Sequence, residues 1–184
     1  MLSAIELCGE LFHTLAGTAY ADIPVNGHRE TWPIRSQRFR NWLRRLHYEA
    51  TGEPASGAAL RSTLDLCEAR AQFEGPQRAV HIRIAEHAGC LYLDLADAHW
   101  RAVQVSPDGW QVIASAPVRF RRPAGMLAMP LPEQGGSIAE LKSLLNVSSR
   151  DDFVLIVSWL VAALRLSSTP MLPRCERSLA MNAI

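Results

Sequence analysis

Between residues 80 and 120 the apolar residues recur at every second position, and this alternation constrains the fold more than any other feature of the chain. A period of two indicates β-strands with one face toward a core and one toward water. Short turn segments separate the strands, which predicts an antiparallel meander rather than parallel strands joined by crossovers. The predicted strands are 80–84, 91–95, 100–105, 110–114 and 118–120.

The same alternation assigns side chains to the two faces of the meander. In the strand over 91–95, the side chains expected in the core are Leu91, Leu93 and Leu95. The intervening Tyr92 and Asp94 are expected on the wet face. By the same rule, His81 is expected to face solvent.

Upstream of the meander the pattern predicts a short helix over 2–12, then a hairpin. Asn26-Gly27 is the strongest short hairpin signal, and it separates a strand over 17–25 from a returning strand over 28–34. Two helices are predicted next, the first capped by Ser36 and ended by Gly52, the second beginning near Ser56. The apolar residues at helical spacing are Phe39, Trp42, Leu43 and Leu46 in the first and Leu60, Leu64, Cys67 and Ala71 in the second.

The C-terminal part follows a Pro- and Gly-rich link over 122–136. Ser137 with Glu140 is a capping-box signature and predicts a helix start. The segment 153–164 is apolar on every side and predicts a helix that needs partners all round. The expected fold is therefore α+β: an N-terminal hairpin with two helices, a central antiparallel β-meander and C-terminal helices.

The predicted organisation is a single α+β domain over 1–165. Its parts are a hairpin and helical part over 1–75, the meander over 78–121 and a helical part over 137–165. The segment 166–184 has no period and is expected to be a poorly ordered tail.

Bulk composition narrows the class of protein. The chain has 184 residues, a net charge of +1 and 48% hydrophobic residues, which is typical of a globular protein and not of a general polyanion binder. The four cysteines form no C-x-x-C pair, which argues against a zinc site. The chain shows no signal-peptide pattern, and its longest apolar run is shorter than the roughly 20 residues that span a bilayer. A cytoplasmic protein with reduced thiols is the expectation.

Catalytic motifs are missing from the sequence. There is no G-x-S-x-G, no metal-binding histidine pair and no glycine-rich phosphate loop. The one lysine, Lys142, follows Leu141 rather than a glycine loop. We therefore expect no catalytic, cofactor-binding or metal-binding residues, no bound cofactor and no enzymatic activity. An enzyme with a diffuse site is the alternative, which a deep pocket with converging histidine and carboxylate groups would support.

Arginines concentrate in two places and are the candidate nucleic-acid-binding residues, because a guanidinium can contact phosphate. One cluster lies on and around the first predicted helix, and the other ends the meander. The candidates are Arg35, Arg38, Arg40, Arg44, Arg45, Arg119, Arg121 and Arg122. An ordinary solvated helix face is the alternative, favoured by the absence of a groove-reading motif.

Several segments resemble a known family: the region upstream of the ATPase core in bacterial ATP-binding proteins of prophages and mobile elements, related to phage and plasmid primase–helicases. The resemblance covers roughly residues 6–165 and rests on structural rather than catalytic motifs. These are ELFHT (10–14), GTAYA (17–21), NGHRETWPIRS (26–36), RFRNWL (38–43), LYLDL (91–95), PVRFRR (117–122) and the apolar segment 153–165.

The resemblance implies a non-catalytic accessory module of a phage-type DNA helicase or primase–helicase. In that family the apolar helix leads into a Walker A loop, which the segment 167–184 does not resemble. The chain is thus expected to be a truncated piece, with 166–184 a candidate frameshift product. The implied partners are DNA and an ATPase domain docked on 153–164, with self-association through that helix in its absence. The alternatives are a protein-interaction or structural module, or a non-functional fragment, with no nucleic-acid binding.

Overall fold

The structure, a computed structural model, describes residues 7–164 and has the predicted α+β class. The described residues divide into two compact units, 7–134 and 135–164, and the division falls in the predicted Pro- and Gly-rich link. The single-domain organisation over 1–165 stays a prediction.

The first unit opens with an antiparallel sheet of order β1-β2-β3, formed by Glu10–His13, Ala19–Val25 and His28–Pro33. The predicted hairpin is confirmed: Asn26 and Gly27 have φ angles of 47° and 83°, the left-handed values that a tight hairpin turn requires. The predicted helix over 2–12 is wrong where residues are described, because its last residues form β1. Pairing of Phe12 with Tyr20 buries the Phe12 ring completely, and this tertiary contact overrides a weak local helical pattern. Residues 2–6 lie outside the described part of the chain.

Both predicted helices are confirmed, as α1 (Gln37–Thr51) and α2 (Gly57–Phe73). The Ser36 and Ser56 hydroxyls accept hydrogen bonds from backbone amides of the first turns, as N-caps do. Gly52 ends α1 in the left-handed conformation. The helices pack on the sheet around a core that contains Ala21, Ile23, Trp32, Ile34, Phe39, Leu43, Leu60, Leu64, Cys67 and Ala71.

The predicted meander is confirmed as a four-stranded antiparallel sheet of order β4-β5-β6-β7, formed by Ile84–His87, Cys90–Asp94, Ala102–Ser106 and Gly109–Ile113. Two strand predictions are wrong. The first strand begins at Ile84 rather than at residue 80, and the predicted strand over 118–120 is only an isolated bridge between His81 and Phe120. These two segments contact each other at a single point and form no ladder of their own.

The predicted faces of β5 are also wrong. Tyr92 and Asp94 are buried, whereas Leu91 and Leu93 are half-buried. Tyr92 lies in a small core with Phe120. Asp94 can be buried because its carboxylate accepts hydrogen bonds from Arg122. Leu95, just after the strand, is buried as predicted.

His81 is half-buried rather than solvent-facing, which corrects its predicted position. Its ring meets Phe120 edge-on, with the ring centroids 6.5 Å apart. Burial lowers the pKa of His81, because the charged imidazolium loses hydration there.

The second unit, described over 135–164, contains a 3-10 helix over Ile138–Leu144 and α3 over Arg150–Leu164. Ser137 caps the 3-10 helix as predicted, although the helix is not an α-helix. No residue of α3 is buried. None of the helices in residues 7–164 combines the length and apolar character needed to cross a membrane. The predicted tail over 166–184 lies outside the described residues.

Candidate functional site

A cavity of about 550 Å³ in the first unit brings the two arginine clusters together. Arg38 comes from the first turn of α1, and Arg121 and Arg122 come from the segment after β7. Trp32 and Trp100 also line it, and no acidic side chain is among the described lining residues. The lining is completed by Thr31, Pro33, Ser36, Pro123 and Ala124.

Trp32 and Arg38 form one wall, and the Glu30 carboxylate fixes both. Trp32 lies on β3, and its indole Nε1 donates to Glu30 Oε2 at 2.8 Å. Arg38 Nη2 lies 2.6 Å from the same oxygen, and the guanidinium carbon lies 4.5 Å from the Trp32 ring centroid. Glu30 is 3% exposed, whereas the Arg38 side chain is 55% exposed. A buried carboxylate thus holds a guanidinium whose outer edge is open to solvent.

Trp100 is the second tryptophan of the cavity lining and has an unusual backbone. Its φ angle is 57°, in the left-handed region that bulky residues rarely adopt and that costs about 1–3 kcal/mol. The surroundings hold it there: the Arg122 guanidinium carbon lies 3.7 Å from the ring centroid, and the His28 ring stacks with a centroid distance of 5.7 Å. Strained residues of this kind cluster at functional sites.

Arg122 is held by a buried acid in the same way as Arg38. Its Nε and Nη2 donate to the two Asp94 carboxylate oxygens at 2.9 and 2.6 Å, a bidentate pair. Its Nη1 donates to the Asp97 carbonyl oxygen at 2.5 Å. Asp94 is 1% exposed, so the pair lies mostly out of water. The guanidinium is therefore rigidly positioned at the cavity wall.

Arg121 differs from its neighbours because its guanidinium makes no hydrogen bond or ion pair with any residue of the described part of the chain. Its backbone N–H donates to the His81 carbonyl at 2.7 Å, which fixes the main chain while leaving the side chain uncommitted. No described residue therefore uses any of the five N–H donors of its guanidinium.

The N-terminus of α1 also reaches this cavity, because the N-cap residue Ser36 is part of its lining. The first turn of α1 carries no acidic residue. No acidic residue of the helix itself therefore offsets the partial positive charge of the helix end.

The remaining predicted arginines on and just before α1 lie outside the cavity lining. Arg35 pairs with Asp65 at 2.7 Å and with Glu68, and its hydrogen bonds to these acids raise the pKa of Arg35. Arg45 pairs with Glu49 on the exposed face.

Arg44 and Arg40 complete that set. Arg44 is exposed and donates to Asn41 Oδ1 at 3.2 Å. Arg40 is half-buried, and its Nε has no hydrogen-bond partner among the described residues. Arg44 and Arg45 thus form an outer basic face of α1, separate from the cavity.

Arg119 connects the segment after β7 to the first sheet. Its Nε donates to Asp22 Oδ2 on β2 at 2.9 Å, and its Nη2 donates to Glu10 on β1. Its guanidinium also lies over the Phe12 ring at 4.8 Å. The Arg119 side chain is 16% exposed. These contacts make Arg119 a structural cross-link and leave few of its N–H donors for a nucleic acid.

A second cavity, of about 500 Å³, bears on the possibility of a diffuse catalytic site. It is lined by Glu10, Asp22 and His28, but the carboxylates are engaged inside the protein. Asp22 accepts from the Thr31 hydroxyl at 2.7 Å as well as from Arg119. Within residues 7–164 no group of three or more His, Cys, Asp or Glu side chains is placed to hold a metal ion.

Three residues that shape the first cavity were not singled out by the sequence: Glu30, Asp94 and Trp100. Both acids lie on strands, and the alternation of polar and apolar residues does not distinguish a buried carboxylate from a solvent-exposed one. Trp100 follows a turn segment, and its left-handed backbone has no local signal such as glycine. Only the tertiary structure places them beside the arginines.

No family model, curated protein or solved structure shows significant similarity to this chain. The resemblance to the primase–helicase-related proteins therefore stays a prediction.

Proposed function

We propose that this chain is a non-catalytic accessory module that binds DNA through the cavity lined by Trp32, Trp100, Arg38, Arg121 and Arg122. The observation that carries the proposal is the convergence of arginines from two distant segments on two tryptophans in one cavity. Proteins that bind single-stranded nucleic acid commonly combine positively charged side chains, which contact the backbone, with aromatic side chains, on which bases stack. The setting expected from the family resemblance is a phage-type DNA helicase or primase–helicase.

The charge of the chain as a whole does not drive this binding. With a net charge of +1, long-range attraction of a polyanion is weak, so affinity depends on the local cationic surface. Each arginine–phosphate contact releases counterions, and binding therefore weakens as salt increases.

The direct experiment is fluorescence anisotropy of a labelled DNA oligonucleotide at low and moderate salt. Arg121→Gln removes one positive charge from the cavity, and Arg44→Gln removes one from the outer face of α1. Arg61→Gln removes one from the exposed surface of α2 and serves as the matched control. We expect Arg121→Gln alone to weaken binding severalfold. A loss caused by Arg44→Gln instead would place the contact on the outer helix face, and no binding at low salt would contradict the proposal.

A second function, docking to a protein partner, is favoured by α3. Its apolar side chains are exposed in the structure: Leu155 is 67% and Trp159 68% exposed. Leaving large apolar side chains in water forgoes about 1.5–3 kcal/mol for each one that a partner would bury fully. We propose that α3 packs against an ATPase domain, and that the isolated chain self-associates through the same helix.

A further inference from the structure

We infer that the cavity lined by Trp32, Trp100 and Arg121 takes one phosphorylated nucleotide of a single DNA strand, with its base stacked and its phosphate on Arg121. This inference rests on the proposed DNA-binding function and specifies its ligand. Binding of this kind requires a base to leave the stack and enter the protein. Contact with the backbone of an intact duplex does not require this.

The size of the cavity suits this ligand. A volume of about 550 Å³ lies in the range of sites that enclose one small molecule. A duplex is too wide to enter, and its bases are paired and stacked inside the helix. Bringing such a base into a pocket requires unpairing and unstacking it, whereas a single strand offers its bases without unpairing. The cavity therefore favours single-stranded over duplex DNA.

Two cation–aromatic layers line the cavity, and the exposed one offers a surface for the base: the Arg38 side chain is 55% exposed, whereas the Trp32 ring beneath it is buried. Arg38 lies over Trp32 and Arg122 lies over Trp100, at 4.5 and 3.7 Å from the ring centroids. Nucleic-acid bases stack on guanidinium planes as well as on aromatic rings.

Both guanidinium groups of these layers are fixed by buried carboxylates, Glu30 for Arg38 and Asp94 for Arg122. Little side-chain freedom remains to be lost when a base binds, and such preorganisation increases affinity. Glu30 thus positions the exposed stacking surface, and Asp94 holds the second layer in the cavity wall.

The phosphate is recognised by groups that are not already engaged. Arg121 contributes a complete set of donors, because its guanidinium has no partner in residues 7–164. The N-terminus of α1 at Ser36 adds its positive end, with no acid in the first turn. A ligand without a phosphate forfeits these contacts, so a nucleoside should bind far more weakly than its monophosphate.

The test is competition against a labelled oligothymidylate in the full chain at low salt. The competitors are unlabelled oligothymidylate, a duplex of the same length, thymidine monophosphate, thymidine and inorganic phosphate. We expect the single strand to compete roughly tenfold or more better than the duplex. Thymidine monophosphate should displace the probe at millimolar concentration, and thymidine and inorganic phosphate should not. Arg121→Gln should abolish the advantage of the monophosphate over thymidine, while Arg61→Gln should preserve it.

The outcomes separate this inference from the broader proposal. Equal competition by single strand and duplex, with no displacement by thymidine monophosphate, would overturn the inference and leave surface phosphate contact as the mode of DNA binding. Displacement by inorganic phosphate as effective as by the monophosphate would overturn it too, because the base would then contribute nothing. Failure of the labelled strand to bind at all would overturn the proposed function itself. Arg38→Gln, which weakens one stacking layer, provides a second variant if Arg121→Gln does not fold.

Discussion

The guanidinium of Arg122 contacts both Trp100 and Asp94. Its carbon atom lies 3.7 Å from the Trp100 ring centroid, and its N–H groups donate to the two carboxylate oxygens of Asp94. These contacts tie the segment after the meander to β5 and to the loop that holds Trp100. Asp94 is 1% exposed, so each of the two charges depends on the other for its stabilisation. Removing one leaves the other charge poorly solvated.

Asp94→Ala should destabilise the protein by about 3–5 kcal/mol, because it leaves the Arg122 guanidinium uncompensated in a mostly buried position. The matched control is Glu49→Ala, which breaks the exposed pair with Arg45 and should leave the free energy of unfolding nearly unchanged. Urea denaturation measures both free energies of unfolding. Equal, small losses for the two variants would show that the Asp94 pair is not structural.

Gly75→Ala should destabilise the first unit, because a Cβ atom there would lie 2.7 Å from the Ala71 carbonyl oxygen and would also clash with the Leu11 carbonyl. Both neighbours are backbone atoms and cannot move aside easily, so a cost of about 1–3 kcal/mol is expected. Gly136→Ala is the control, since nothing lies within 4 Å of its added Cβ. A thermal melt in which both variants match the wild type would contradict the close approach of α2 to β1.

Stability should fall at alkaline pH because of two thiols. Burial, aided by the neighbouring Cys67, raises the pKa of Cys8 to about 12 from an ordinary value of 9.0. Burial likewise raises the pKa of Cys67 to about 11. The folded state therefore holds these protons more tightly, so the contribution is complete below pH 9 and is lost as the pH rises toward 11–12.

The measurement is the free energy of unfolding in urea between pH 8 and pH 11, for the wild type and for the double variant Cys8→Ala/Cys67→Ala. The double variant should start less stable and show a shallower decline above pH 9, since it lacks the two thiols. Parallel declines in the two proteins would show that the thiols are not protected by burial.

Leu155→Glu should reduce self-association of the isolated chain. Leu155 is 67% exposed on α3, and a carboxylate placed there would oppose burial of that face against a second copy. Ala58→Glu adds the same charge on the exposed surface of α2 and should leave association unchanged. Light scattering over a range of concentrations is decisive: a wild-type chain that stays monodisperse and monomeric at high concentration would rule out the interaction.

The sequence predicted those elements whose signals are local. Asn26-Gly27 specifies a turn by its own backbone preferences, and Ser36 and Gly52 mark the ends of α1 by capping. The buried face of β5 could not be predicted in this way. Burial of Tyr92 and Asp94 depends on Phe120 and Arg122, which are distant in sequence, and alternation alone does not say which face will meet them.

The candidate site was predictable only in part. The arginines of both clusters stand out in the sequence, and so does their suitability for phosphate. Their different roles do not: Arg119 binds acids of the first sheet, whereas Arg121, two residues later, lines the cavity with an uncommitted side chain. That difference depends on which acids the tertiary structure places nearby, and β1 and β2 supply them for Arg119.

The most direct test of the central claim is the salt dependence of oligothymidylate binding by the wild type and by Arg121→Gln. The account predicts that the logarithm of the wild-type association constant falls linearly with the logarithm of salt concentration. It further predicts that the slope for Arg121→Gln is shallower by roughly 0.7, the loss of one phosphate contact to a single strand. Binding that is absent, or a slope that Arg121→Gln leaves unchanged while Arg44→Gln reduces it, would contradict the assignment of this cavity as the DNA-binding site.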